Sequence, residues 1–251
     1  MLYFAMKPIK LYKYRRINKH LIDSLVNSSI FFACPDALND PFDCRVNIKN
    51  SISNAANSLS GASSKKLIAL LKDEEFFKIL QKDLNCFGIC AFAGSLNCDP
   101  REVLMWTHYA DNHRGVCIKY EFSEDIVEQE KEIAGISNVS YEQEAMINWF
   151  KSPETLSMDF DSVDFIMELA KQMLVVKSPP WGYEAEIRII RSKSGELKIP
   201  KPFIKGICFG LETPHNDITL INNILTKFYS KIERYKMIRT KNDFGFDIEK
   251  I

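Results

Sequence analysis

In the run Tyr183-Glu-Ala-Glu-Ile-Arg-Ile-Ile190, two carboxylates and a guanidinium recur at every second residue. On a strand, successive side chains point to opposite faces, so Glu184, Glu186 and Arg188 share one face and Tyr183, Ala185, Ile187 and Ile189 the other. Like charges side by side raise the pKa of at least one member if the face is enclosed. That suits a group that moves a proton or stabilises developing positive charge, and Glu186 and Glu184 are therefore the catalytic candidates. The plainer reading is a half-buried strand with a solvated face, on which Arg188 neutralises its neighbours.

The densest gathering of polar and aromatic side chains is Trp106-Thr-His-Tyr-Ala-Asp-Asn-His-Arg-Gly115, which holds two of the chain's four histidines. At helical spacing Trp106 and Tyr109 are neighbours, and such a pair anchors a helix to a core as readily as it stacks on a ligand. His108 fits either a buried hydrogen-bonding role or a functional one. Asp111, Asn112 and Gly115 are turn residues, which leaves Arg114 with the least structural reason for its place. Earlier in the chain, Tyr12-Lys-Tyr-Arg15 alternates so that Lys13 and Arg15 share a face. An arginine there can grip a phosphate bidentately, although charges on an edge strand also guard against aggregation. Asn39-Asp-Pro-Phe-Asp43 reads as an Asx-type turn or as a second site loop, with Asn39 and Asp40 as its polar members. Asn39–Asp43 and Trp106–Arg114 are expected side by side at the rim of one cleft, each being a polar turn after an apolar element.

Metal chemistry has little support. Cys86-x3-Cys90 followed by Cys98 lacks the paired short spacings of structural zinc sites, and no glycine-rich phosphate loop, GxSxG or HExxH occurs. The seven cysteines are an odd number with no leader-like segment ahead of them, so seven free thiols in a reducing, cytoplasmic setting are expected. The longest apolar runs, such as 173–176 and 206–211, fall far short of the roughly 20 residues that span a bilayer, so no membrane partner is expected. With 33 basic and 33 acidic side chains the net charge is zero, and no global field draws the molecule to nucleic acid or anionic lipid.

The elements that must position these residues follow from patterning. Residues 10–15 read as a strand, a short helix capped by Asn18 follows, and Ser29–Ala33 is a second strand before the turn-rich 34–43. Residues 50–64, rich in Ser, Asn and Ala, read as the least ordered segment, a mobile loop or a frayed approach to a helix. From Ser64 to Leu84 the apolar spacing predicts one amphipathic helix. Strands at 86–92, 115–122, 183–191, 203–209 and 233–240 alternate with helices at 102–110, 160–176 and 215–229. The whole, 1–251, is expected to be one domain with its core at 10–240 and a mobile or helical insertion near 50–84. Its class is α+β, with a mixed, mostly antiparallel central sheet flanked by helices.

Taken together in order, YKYR, SIFFACPDALNDPFD, CFGICAF, LMWTHYADNHRGVCIKYEF, K-x3-WGYEAEIRII and IKGICFG resemble the bacterial family called domain of unknown function 2971, over most of residues 10–210. That family name implies an architecture and no reaction. A second, looser resemblance is to ADP-ribosyltransferases, in the order of an early strand bearing Arg, an aromatic middle segment and a late strand carrying E-x-E. It implies Arg15 against the phosphates or ribose of NAD, Glu186 against the nicotinamide ribose, and Tyr109, Trp106 or Phe42 stacking on nicotinamide. The Ser-Thr-Ser strand of the arginine-modifying members has no counterpart here. The function that follows is an NAD-consuming transferase or glycohydrolase, with NAD as substrate, Glu186 stabilising a cationic ribose, and Arg15 or Arg114 neutralising the diphosphate. A role as an effector in phage defence belongs to this reading. The acceptor, protein or nucleic acid, is left open. The alternative is a non-catalytic sensor or interaction domain in which the same polar loops bind a nucleotide or a protein. A nucleic-acid enzyme is a third reading, for which Lys65, Lys66, Lys201 and Lys205 are too scattered to argue.

Overall fold

The computed structural model of the chain describes residues 9–94, 102–122, 131–241 and 245–251. Eight strands form the main sheet: β1 (Ile9–Arg15), β3 (Gly88–Ala93), β4 (Val116–Phe122), β5 (Ile133–Asn138), β6 (Glu186–Arg191), β8 (Ile204–Phe209), β9 (Glu233–Arg239) and β10 (Phe246–Lys250). Their order is β10-β9-β8-β4-β1-β3-β6-β5, and only the β8/β9 neighbours run parallel. A separate antiparallel ribbon joins β2 (Ser29–Phe32) to β7 (Gly195–Lys198). The expected α+β class with a mostly antiparallel sheet is what the chain forms.

One face of the sheet, carrying Leu11, Phe92, Ile118, Ile189 and Phe209, is covered by α1 (Lys19–Asn27) and α9 (His215–Phe228). Asn18 caps α1 as its sequence predicts, accepting the Leu21 N–H at 3.0 Å. The other face is shared. Short α5 (Val103–Tyr109) seats Trp106 on Tyr14, Cys117 and Cys208, while Ile89 and Ile190 lie under a helical layer. That layer comprises α2 (Ile48–Ser58), α3 (Gly61–Leu71), α4 (Glu74–Cys86), α6 (Ala145–Lys151), α7 (Pro153–Ser157) and α8 (Val163–Met173).

Three expectations need correction. The Ser/Asn-rich stretch at 50–64 is helical: Asn47 caps α2, and Ile52, Ala55 and Ala56, at i, i+3 and i+4, are buried in the helical layer. Small side chains on a packed face substitute there for intrinsic propensity. The helix expected from Ser64 to Leu84 is two helices, because Asp73 accepts the Phe76 N–H at 2.9 Å and starts a new one. The strand expected at 183–191 begins only at Glu186: Pro179–Glu184 form 3-10 turns, and Ala185 turns the chain with φ +43°. Strands β5, β7 and β10 and helices α6 and α7 lie outside the expected elements.

No disulfide links any of the six described cysteines, Cys34, Cys44, Cys86, Cys90, Cys117 and Cys208, and Cys98 lies outside the described residues. No helix among the described residues is long and apolar enough to cross a membrane.

Candidate functional site

The site begins where two neighbouring strands part. Strands β1 and β3 share the single register pair Tyr12↔Ala93, whereas β1 and β4 pair along seven residues. Beyond Tyr12 the ammonium of Lys13 takes up the Ala91 carbonyl at 2.6 Å, and a groove opens beside it. Direct pairing keeps residues on a common face, so Tyr12, Ala93 and Glu186 stand in one row, with Arg188 opposite Ala91 in the next.

On that row lies a network of five buried charges: Asp43, Lys177, Glu184, Glu186 and Arg188. Arg188 Nε donates to Glu186 at 2.7 Å, Nη2 reaches both oxygens of Asp43 at 2.7 and 2.9 Å, and Nη1 reaches the Leu174 carbonyl at 2.6 Å. Lys177 Nζ donates to Glu184 at 2.5 Å and to Glu186 at 3.1 Å, and stands 3.7 Å from Asp43. The Tyr109 hydroxyl donates to the other Glu184 oxygen at 2.5 Å. The Tyr141 hydroxyl accepts the Glu186 backbone N–H at 3.0 Å. The backbone works for this arrangement at two points. Cys44, after Asp43, and Ala185, between the glutamates, both adopt left-handed conformations without being glycine. The turn at Ala185 lets Glu184, from a 3-10 segment, meet Glu186, from a strand, at one lysine.

Burial and charge push these groups apart in acidity. Burial raises the Glu184 carboxyl, against the opposing pull of Lys177 and Tyr109. Burial alone would raise Glu186 as well, but Arg188 and Lys177 together hold it below the usual carboxylate range. Lys177 is raised, because three carboxylates outweigh its desolvation. Burial and the Glu184 carboxylate raise the Tyr109 phenol, and burial pushes Tyr141 up to about 12. The Cys44 thiol, 3.2 Å from Arg188, is pushed up to about 12 by burial, so it stays protonated at neutral pH.

The five buried charges line a cavity of about 200 Å³ with Tyr12, Tyr14, Asn39, Met105 and Tyr109. It adjoins the larger groove, about 710 Å³, lined by Arg15, Arg16, His20, His108 and Glu196, and the two share Lys13, Tyr14, Leu38, Ala91 and Tyr109. The fold thus brings Glu184, Glu186, Tyr109 and Asn39 together, and sets Arg15 and His108 in the adjoining groove. The loops at 39–43 and 106–114 meet through Asn39 and Tyr109, but only in part. Arg114 is exposed on the turn after α5 and lies outside both lining sets. Asp40 is buried and accepts the Phe42 N–H at 2.9 Å, as an Asx turn requires. Of the three aromatic candidates, Tyr109 lines the cavity, Trp106 is fully buried against Tyr14, and Phe42 is 77% exposed outside it.

Sequence reasoning assigns no role to Lys177, and treats Asp43 only as part of a turn. A lysine four residues ahead of a Trp-Gly-Tyr-Glu run was the available signal, since a lysine is buried only when it is paired.

No curated protein and no solved structure matches the chain. Residues 105–189 match the family model described as Protein of unknown function (DUF2971), and this third of the chain, which carries Tyr109, Lys177, Glu184, Glu186 and Arg188, is what it shares with that family.

Proposed function

We propose that the cleft binds a pyridine dinucleotide and cleaves its N-glycosidic bond, making the protein an NAD-consuming glycohydrolase or transferase. The observation that supports this reading is the polarity of the joined cavities. Lys13, Arg15 and Arg16 outnumber Asp23 and Glu196 along the groove, whereas beyond the shared Lys13 the cavity is floored by Asp43, Glu184 and Glu186 against Lys177 and Arg188. A diphosphate suits the first end. A pyridinium and a ribose that becomes cationic suit the second, where tyrosines supply aromatic walls. In the reaction the C–N bond breaks with its electron pair leaving on nicotinamide, and water or an acceptor nucleophile captures the ribosyl cation. We assign Glu184 to that cation because one of its oxygens is held only by the neutral Tyr109 hydroxyl, whereas both Glu186 oxygens are held by the cations Arg188 and Lys177. Glu186 then serves to hold Lys177 in place.

The same saturation of Glu186 favours a second reading, a sensor that binds the nucleotide without cleaving it. One experiment separates them: incubate the full chain with NAD, follow nicotinamide release by chromatography, and measure the thermal midpoint with NAD and with ADP-ribose. Release above the rate without protein supports the enzyme. A raised midpoint without release supports the sensor, and neither effect overturns nucleotide binding at this cleft.

A further inference from the structure

Strands β4 and β8 place Cys117 and Cys208 directly opposite each other. The Gly210 N–H donates to the Gly115 carbonyl at 3.0 Å and sets the phase of this ladder. Two residues further in, Cys117↔Cys208 is again a hydrogen-bonded pair, whose Cα atoms stand about 5.5 Å apart. A disulfide accepts Cα separations of roughly 4.4–6.8 Å, so this backbone spacing lies within the range the bond spans. Residues directly opposite also point to the same face, and both thiols line one small cavity of about 190 Å³ with Tyr12, Gly206, Tyr235 and Ile248. Gly206 contributes no side chain to that wall, which leaves room for a small reagent. Cys90, by contrast, belongs to the core on the opposite face of the sheet.

We infer that Cys117 and Cys208 form a reversible cross-strand disulfide when the protein meets a small hydroperoxide. One thiolate attacks the peroxide oxygen, the O–O bond breaks, and a sulfenic acid forms as an alcohol or water leaves. The second thiol attacks the sulfenic sulfur, the S–S bond forms, and a second water leaves. Overall two thiols lose two electrons and two protons, and the peroxide is reduced. At a hydrogen-bonded pair the linkage is constrained by two backbone bonds beside it, so it is a bond that thiols reduce readily, of the regulatory kind. Its effect has a path to the cleft: Tyr12 walls both the thiol cavity and the carboxylate cavity.

The test uses the wild-type chain and hydrogen peroxide. After exposure, the protein is alkylated in denaturant and mapped by peptide mass spectrometry. The expected result is the loss of two alkylatable thiols out of seven, a linked peptide joining 117 to 208, and recovery of both thiols with dithiothreitol. Cys208→Ala should leave Cys117 alkylatable or singly oxidised with no linked peptide, while Cys90→Ala should leave the link intact. If Cys117 and Cys208 both stay alkylatable while the exposed Cys86 oxidises, or if either ends as a sulfinic acid in place of the link, the inference is overturned.

Discussion

Arg188 reaches both oxygens of Asp43, a carboxylate 145 residues earlier in the chain, at 2.7 and 2.9 Å. Its remaining donors go to Glu186, to the Leu174 carbonyl and to Cys44 Sγ, so the guanidinium is fully satisfied with almost no exposure to water. Burying charge in this way is costly unless the whole set is present.

Removing one partner should therefore be severe. Arg188→Met leaves Asp43 and Glu186 buried without their main cation, and is expected to cost roughly 3–5 kcal/mol in a denaturant titration. Adding Asp43→Asn should recover part of the loss. A cost below about 1 kcal/mol for the single variant would put the pair in the class of solvent-screened surface bridges and contradict its burial.

Glu184 and Glu186 should separate cleanly by substitution. Glu184→Gln is expected to lower nicotinamide release by roughly 100-fold or more with a smaller fall in the thermal midpoint, since Lys177 keeps Glu186 and Asp43 beside it. Glu186→Gln should instead lower the midpoint by several degrees, because Arg188 and Lys177 lose their shared anion. Thermal melts beside rate assays check both, and the reverse pattern would return the ribose-facing role to Glu186.

Tyr109 offers a test through pH. Its hydroxyl donates to Glu184 and favours the ionised carboxylate, so Tyr109→Phe raises the Glu184 pKa further above its usual range. A hydrogen bond to a charged group is worth about 1.5–3 kcal/mol, enough to be read in a pH profile. The acid limb of the kcat/KM profile should move to higher pH. An unmoved limb means that Glu184 does not act in its ionised form.

Alkaline stability follows from the same cluster. Tyr141 is raised from 10.0 to about 12 and Cys44 from 9.0 to about 12, while Lys177 is raised above 10.5. For each group the unfolded chain loses its proton first as pH rises, so the unfolded state binds fewer protons and stability falls. Stability is full below about pH 9 on this account and declines from there toward pH 12. Urea midpoints across that range should show the decline, and Tyr141→Phe should make it shallower. A flat profile to pH 12 would contradict these shifts.

The sequence carried the site's chemistry further than its backbone. Alternation correctly put Glu186 and Arg188 on one face, because both lie on β6. Glu184 reaches the same cluster for a reason that alternation does not contain, the left-handed turn at Ala185. Lys177 opens the K-x3-WGYEAEIRII segment yet received no role, because only its tertiary partners reveal it as buried. The α2 helix was hidden because its Ser and Asn content favours turns in isolation, whereas packing of Ile52, Ala55 and Ala56 decides in the fold. Short edge strands such as β5 and β10 gave too few residues for periodicity to speak.

The span between Asp43 and Arg188 also sets a timetable for the cell. At a synthesis rate of roughly 5–20 residues per second, Asp43 is made about seven to thirty seconds before its guanidinium partner. Glu184, Glu186 and Lys177 arrive with Arg188, at the very end of that interval. The nascent chain therefore carries no assembled cleft. The pocket has no complete floor until nearly three quarters of the polypeptide has been made, and a product truncated before residue 188 lacks it altogether.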